Sequence, residues 1–484
     1  MNSYPRLIIA GIRGGSGKTT ISLGIIRVLR QKGLKVVPFK KGPDYIDAGW
    51  LSVAAENPCY NLDPFLITKD NVLGSFLCHF SGDIAIIEGN RGLYDGMDVE
   101  GSYSTAELAK LLKSPVLLII DCTKMTRTSA AIILGCMNLD RNVDIRGVIL
   151  NNISGSRHES IVRASIEKYT SLPVVGAIPR LTDGAFPERH MGLTPYQEHP
   201  DTIKAINSSC DIADKYLDIE AILHIAKSAE PLKNVEDEFV YNMLISHCSS
   251  RKEPKDLRIG VIRDDAFQFY YPENLEALQA EGAEIIDIDA LKDERLPDID
   301  SLYIGGGFPE TNAIRLANNV SFRKSLKESV EKGLPIYAEC GGLMFLGDSI
   351  IVGEKRYPMA GIFPIVFEMK GRPQAHGYTI VEVERENPFF PLGTIINGHE
   401  FHYSALSEET SELHNSLKSG HIYFAFKMRR GKGIKDGRDG ICYKNVFASY
   451  THIHALGAKE WISGIISKAK EYKNIKNSRK DLNG

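Results

Sequence analysis

Apolar and polar positions fall in blocks along this chain, and the block lengths predict its elements. In the first half, short unbroken apolar runs lie at 7–12, 36–39, 84–88, 116–121, 147–150 and 174–178. Runs of that length read as strands covered on both faces. Helical spacing separates them, for example at 19–31 and 105–112. The alternation predicts a doubly wound parallel sheet, whose ligands gather at the carboxyl ends of the strands. Residues 201–229 read as short helices, and the polar, mixed stretch 231–256 reads as a linker. A second alternating unit follows, with strands at 259–262, 284–288, 302–304 and 335–338 and helices at 272–281 and 311–332. Segments 376–384 and 440–450 alternate like strands of a more antiparallel region, and 459–473 reads as a closing helix. The expected organisation is an α/β domain over 1–230, the linker, a second α/β domain over 257–473 and a flexible tail over 474–484. No internal repeat is visible.

The bulk numbers narrow the class. A chain of 484 residues is too long for one ordinary core. Its 43% apolar and 25% charged content is that of a globular enzyme. A net charge of -3 gives no electrostatic case for nucleic acid or membrane partners. Lysine and arginine gather at 467–480, which reads as a solvated helix end. Eight cysteines are scattered without a C-x-x-C pair, which argues against a disulfide framework and against a cysteine metal site. The start of the chain has no signal-peptide pattern and no apolar stretch is long enough to span a bilayer, so a cytoplasmic protein is expected.

Two segments carry chemistry. The first is Gly11–Thr20, GIRGGSGKTT, between the first strand and the first helix. Glycines let backbone N–H groups approach phosphates, a lysine reaches the outer phosphates, and a hydroxyl serves Mg²⁺. Gly14, Gly15, Ser16, Gly17, Lys18, Thr19 and Thr20 supply these parts and predict an ATP site. The spacing departs from the strict phosphate-loop pattern, because Ile12 stands where the first glycine belongs. This variant resembles the loops of dethiobiotin synthetase and related amide-forming ligases. Mg²⁺ takes one or two carboxylates besides phosphate and water. Thr19, Asp44 in KKGPDYID and Glu88 in IAIIEGNRGLYDG are the candidate ligands, with Asp47 and Asp95 as further acids of the same segments. Asn151 and Asn152 end another strand, where an amide could read a base edge or simply shape a turn.

The second segment is PIYAECGGLMF, where an apolar strand stops at Cys340 and two glycines open a helix. A cysteine on such a sharp turn is expected to expose its sulfur, beside N–H groups that favour thiolate and oxyanion. Amide hydrolysis by a thiolate needs a histidine to hold the proton, and an oxyanion hole. Gly306 and Gly307, after a strand, are the natural donor source beside Gly341. Two histidine groups compete for the base: His452 with His454, and His399 with His402. A zinc site at His399, Glu400 and His402 is disfavoured, because the spacing does not match H-E-x-x-H.

Together these motifs resemble the cobyrinic acid a,c-diamide synthase family. The resemblance runs, in family order, through GKTT, GPDYID, NLDPF, EGNRGLYDG, ERHMGL, DDAFQFYYPENL, LYIGGGFPE, the cysteine motif, GHEFHYS and SYTHIH, spanning about residues 6–456. It implies a dethiobiotin-synthetase-like phosphate-loop domain followed by a class I glutaminase domain. It implies ATP and glutamine as co-substrates, Mg²⁺ as cofactor, and a tetrapyrrole amidated at its a and c acetate carboxylates through an acyl phosphate. Asp47 and Asp95 would then serve substrate or acyl phosphate. In class I glutaminases the base lies in a C-terminal His-x-Glu, so His452 is implied as the base, with His454 in the place of the glutamate. Arg13 and Ala48 depart from the family pattern and leave the tetrapyrrole open, with sirohaem or nickel-sirohydrochlorin as alternatives. Arg13 also resembles the signature lysine of partition-type ATPases, so a non-catalytic switch with a decayed glutaminase domain is the distant alternative. A standalone cysteine hydrolase regulated by its ATPase half is a third. A homodimer is compatible with all of these.

Overall fold

The computed structural model describes residues 4–181, 188–189, 192–199, 201–232 and 256–481. The chain divides into two compact units. The first takes in residues 1–64 and 68–241, and the second takes in residues 65–67 with 242–484. The linker read at 231–256 lies, apart from its ends, outside the described residues, as do His190 and Met191 of the ERHMGL motif.

The first unit is built on seven strands: β1 (Arg6–Gly11), β2 (Val36–Lys41), β3 (Tyr60–Leu62), β4 (Ile84–Gly92), β5 (Val116–Asp121), β6 (Ile145–Ile153) and β7 (Val174–Pro179). Their order is β3-β2-β4-β1-β5-β6-β7, and every pairing is parallel. Apolar residues of β1, β4 and β5 are fully or almost fully buried, as the unbroken apolar runs require of a sheet covered on both faces. The helix Lys18–Gln31 follows β1 and buries Ile21, Ile25, Ile26, Val28 and Leu29 in the same core. Strand β3 escapes the sequence reading, because three residues are too few to show a period.

The second unit holds a ten-stranded sheet of two characters. Ala283–Ile288, Leu257–Ile262, Ser301–Ile304, Ile336–Glu339 and Val446–Ser449 run parallel in that order. Arg438–Tyr443, Tyr423–Arg430, Ala375–Val383, Ile395–His402 and His452–Ile453 continue it antiparallel. Three expectations need correction. The run 440–450 is a hairpin, Arg438–Tyr443 and Val446–Ser449, turned at Lys444 with φ 51°. The helix read at 311–332 is two, Ala313–Asn318 and Val320–Glu331, because the Asn319 side chain caps the second. The closing helix runs on to Asp481 instead of ending at 473. Lysine is a good helix former, and Lys476 reaches Asp298 and Asp300 at 2.7 Å each, which anchors the supposed tail.

Beneath the carboxyl end of Ile336–Glu339 lies a packed aromatic layer. Tyr337 stacks on Phe447 with centroids 5.6 Å apart, and Trp461 meets both Tyr303 and Tyr337 edge-on. This layer supports the strand end from which the cysteine turn departs.

Candidate functional site

In the first unit, parallel register places the functional groups side by side. Ile9 of β1 pairs with Glu88 of β4, and Glu88 pairs with Lys40 of β2. The loop after β1 is closed by Ser16, whose hydroxyl donates to the Arg13 carbonyl at 2.6 Å. Asn151 donates to the Ser16 carbonyl at 3.0 Å, so its amide N–H supports the loop. No side chain caps the helix that starts at Lys18, which leaves its first N–H groups facing the loop. Protein packing does not require glycine at position 14, where a Cβ would meet nothing within 4 Å. Lys18 is buried, with Nζ donating to the Arg91 carbonyl at 2.8 Å and the Arg13 carbonyl at 3.3 Å. Burial and the neighbouring Lys40 hold its ammonium below the usual lysine range.

Thr19 Oγ1 donates to Glu88 Oε1 at 2.9 Å. Lys40 Nζ lies 2.7 Å from both Glu88 Oε1 and Asp47 Oδ2. Burial works against the Lys40 charge, but Asp47 and Glu88 outweigh it and push its value up. Glu88 is raised by burial, with Lys40 opposing the shift. Among the described residues its Oε2 is buried without a hydrogen-bond partner. A hydroxyl in the first turn of the helix after β1 and a free carboxylate oxygen on β4 are hard donors of the kind Mg²⁺ takes, and they fit such an ion. Asp44 is arranged differently. Its carboxylate caps the helix Tyr45–Ala55 by accepting from the Asp47 N–H at 2.8 Å. Burial, then Asp47, raises it to about 7. Asp95 Oδ2 accepts from the Gly92 N–H at 2.8 Å and closes its own turn. Arg13 reaches Asp121 at the end of β5, at 2.8 Å.

In the second unit, Cys340 sits between the strand Ile336–Glu339 and the helix Gly341–Leu346, at φ 46° and ψ −97°. That conformation is strained for a residue with a Cβ and marks a tight turn. The expected turn is present, but the expected exposure is not: Cys340 is only 6% exposed, because the sheet on one side and the Phe401 carbonyl, 3.9 Å from Sγ, enclose it. Its N–H donates to Ser449 at 2.7 Å.

His452 comes to this thiol from the edge strand His452–Ile453 and hydrogen-bonds Cys340. Its Nδ1 lies 3.1 Å from Glu339 Oε2. Burial alone would lower the imidazole, but bonds to Cys340 and Glu339 push it up to about 10. Gly306 makes room for the ring, since a Cβ there would fall 2.5 Å from His452 Cε1. Gly307, at φ 155°, lies against Ala266, whose carbonyl a Cβ would meet at 2.1 Å. The Gly307 nitrogen is 2.9 Å from where a Gly341 Cβ would stand, so these two glycine backbones face each other at close range beside the thiol.

The rival histidines lie on the strand Ile395–His402, next to that of His452. Gly398 and His402 belong to the strand Ile395–His402, not to the turn that Asn397-Gly398 implies. His402 stacks on Tyr450 at 3.6 Å, and its Nδ1 donates to the Ser404 carbonyl at 2.8 Å. His399 pairs with His452 across the ladder. His454 does not take the place of the orienting carboxylate. Its Nε2 faces Glu273 at 3.5 Å and its Nδ1 accepts from the Leu456 N–H, while Glu339 meets His452. Sequence reasoning missed Lys40 and Glu339. A looser signal, a charged residue at the end of an apolar run, could have found both, at the ends of 36–39 and 335–338.

The comparisons with known proteins agree with this geometry. Residues 7–193 match the CobQ/CobB/MinD/ParA nucleotide binding domain, and residues 258–460 match the CobB/CobQ-like glutamine amidotransferase domain. A cobyrinate a,c-diamide synthase of Magnetococcus marinus is 41% identical, over 94% of this chain and 95% of its own. One of Archaeoglobus fulgidus is 40% identical, over 97% and 98%. One of Listeria innocua is 39% identical, over 93% and 96%. With both domain models matched in order and identity of this level along nearly the whole chain, this protein belongs to the cobyrinate a,c-diamide synthase family.

Proposed function

We propose that this chain is a carbon–nitrogen ligase that amidates the a and c acetate carboxylates of cobyrinate, using ATP and glutamine. The observation that carries the reading is the identity of about 40% to cobyrinate a,c-diamide synthases along both halves of the chain. In the first unit, a substrate carboxylate oxygen attacks the γ-phosphorus of ATP, giving an acyl phosphate and ADP. Lys18 and the N–H groups of the loop would stabilise the charge on the transferring group. Thr19 and Glu88 would hold Mg²⁺, which supplies further neutralisation of phosphate charge when bound. Lys40 holds Glu88 and Asp47 in place.

In the second unit, the Cys340 thiolate attacks the side-chain amide carbon of glutamine. N–H groups at Gly307 and Gly341, whose backbones approach each other, would receive the oxyanion. His452 gives its proton to the leaving nitrogen, the C–N bond breaks, and ammonia departs from a thioester. Water then cleaves the thioester to glutamate and restores the thiol–imidazole pair. Ammonia attacks the acyl phosphate and expels phosphate, leaving the amide.

The buried Cys340–His452 pair argues against a decayed glutaminase domain, and identity to cobyrinate a,c-diamide synthases along both halves argues against a hydrolase that its ATPase half only regulates. Sirohaem and nickel-sirohydrochlorin are not favoured, because the relatives are cobyrinate enzymes by name. Mass spectrometry decides the substrate. Incubation of cobyrinate, sirohaem and nickel-sirohydrochlorin separately with ATP, Mg²⁺ and glutamine should amidate cobyrinate twice. Amidation of another tetrapyrrole with cobyrinate untouched would sink the reading.

A further inference from the structure

Glu339, the residue just before the nucleophile, is fully buried at the end of its strand. A carboxylate so placed is costly unless it is paired and hydrogen-bonded. Four donors converge on it. Tyr337 donates to Oε1 at 3.0 Å and the Ile453 N–H to Oε1 at 3.3 Å. Tyr303 donates to Oε2 at 3.3 Å, and His452 Nδ1 lies 3.1 Å from the same oxygen. Among the described residues no lysine or arginine pairs with Glu339, and its ion pair is with His452.

The backbone explains how neighbours in sequence serve one imidazole. Adjacent side chains of a strand point to opposite faces. The positive φ of Cys340, 46°, breaks that alternation at the strand end, and both Glu339 and Cys340 reach His452. We infer that Glu339 is the positioning carboxylate of glutamine hydrolysis: it fixes the Nδ1–H tautomer of His452 and holds its imidazolium form beside the Cys340 thiolate. The inference rests on the reading that Cys340 attacks glutamine. It moves the orienting role from His454, two residues after the base, to the residue before the nucleophile.

The surrounding groups leave this charge pairing intact. Burial keeps Tyr303, Tyr337 and Tyr270 well above the usual tyrosine range, so they act as neutral hydroxyls. Burial, with His452 adding to it, holds His399 well below the usual histidine range, so the ring stacked on His452 at 4.9 Å stays neutral. Asp439, felt by Tyr337, is bound by the Tyr450, Thr451 and Gly440 N–H groups. The groups that set the protonation of His452 are therefore Glu339 and Cys340.

The test uses Glu339→Gln and Glu339→Asp in the full chain. Glutamine hydrolysis is measured against pH, and ammonia-dependent amidation and thermal melting are measured beside it. Glutamine Oε1 can still accept from Nδ1–H but brings no charge. Glu339→Gln should lower kcat for glutamine on the order of 10²-fold, with KM little changed. It should also move the alkaline limb of kcat/KM to lower pH, because the imidazolium loses its partner. Glu339→Asp should restore part of kcat and return the limb toward its original place. Ammonia-dependent amidation, which bypasses the thiol, should persist in both. Wild-type kcat with an unmoved limb in Glu339→Gln overturns the inference, as does equal loss of glutamine- and ammonia-dependent activity. Cys340→Ala separates the two levels. If it still hydrolyses glutamine, the reading and the inference fall together. If it is dead while Glu339→Gln is wild-type, the inference alone falls.

Discussion

The choice between two histidines turns on which ring meets the thiol. His402 has its Nδ1 on the Ser404 carbonyl and its ring flat against Tyr450, with planes 6° apart, which is the setting of a packed core histidine. His452 has Nδ1 on Glu339 and hydrogen-bonds Cys340. His452→Asn should therefore abolish glutamine-dependent amidation and leave ammonia-dependent amidation. His402→Asn should keep measurable glutamine hydrolysis. Assays of both variants with both nitrogen sources check this, and an active His452→Asn beside a dead His402→Asn would reverse the assignment. The same geometry sets a pH dependence. The folded imidazole titrates at about 10, above its ordinary 6.5. The stabilisation of the folded state by this proton is therefore complete below about 6.5 and is lost as pH rises through about 10. The proton needed by the leaving nitrogen is lost over the same rise. Glutamine kcat/KM should accordingly fall on an alkaline limb near that value, read from a pH–rate profile.

Among the elements, the strand Gly306–Gly307 leaves the site little tolerance. Even one methyl at 306 would stand 2.5 Å from the buried His452 ring, which Glu339 holds by its Nδ1. Gly306→Ala should displace His452 and cut glutamine hydrolysis by roughly 10²-fold or more, since loss of a placed acid–base group costs that much. Ammonia-dependent amidation should be spared, and equal activity with both nitrogen sources would show that the ring has room. This element was legible: three glycines after an apolar strand announce close backbone approach. The parallel strands, the phosphate loop and the cysteine turn were legible for the same reason, because each is a local pattern with a local cause. What escaped depends on partners far along the chain. Glu339 meets a histidine 113 residues later, and Lys40 meets Glu88 across β2 and β4, 48 residues later. The burial of Cys340 escaped too, since the Phe401 carbonyl that covers it lies 61 residues away. The strand at 395–402 is missing from the sequence reading because Asn397-Gly398 reads as a turn, whereas pairing with Ala375–Val383 holds the segment extended.

On the scale of the whole molecule, each unit carries its own apolar core and its own candidate chemistry. The thiol with its imidazole belongs to the second unit, and the lysine, hydroxyl and free carboxylate oxygen belong to the first. If the chemistry divides as the cores do, lesions in one unit should leave the half-reaction of the other measurable. Cys340→Ala should lose glutamine use entirely and amidate cobyrinate at high ammonia and alkaline pH, where free ammonia supplies the nucleophile. Lys18→Ala and Glu88→Gln should do the opposite. Lys18→Ala removes the ammonium held beside the loop, and Glu88→Gln takes the charge from the oxygen pair between Thr19 and Lys40. Each should slow acyl-phosphate formation on the order of 10²-fold or more, as expected when electrostatic stabilisation of a transferring group is lost. Both should retain part of their glutamine hydrolysis. The two reactions are followed separately, as ADP release with cobyrinate and ammonia and as glutamate release from glutamine. Melting curves ensure that folded variants are compared. Loss of both reactions to the same degree, in variants that melt like the wild type, would mean that the two units act as one site.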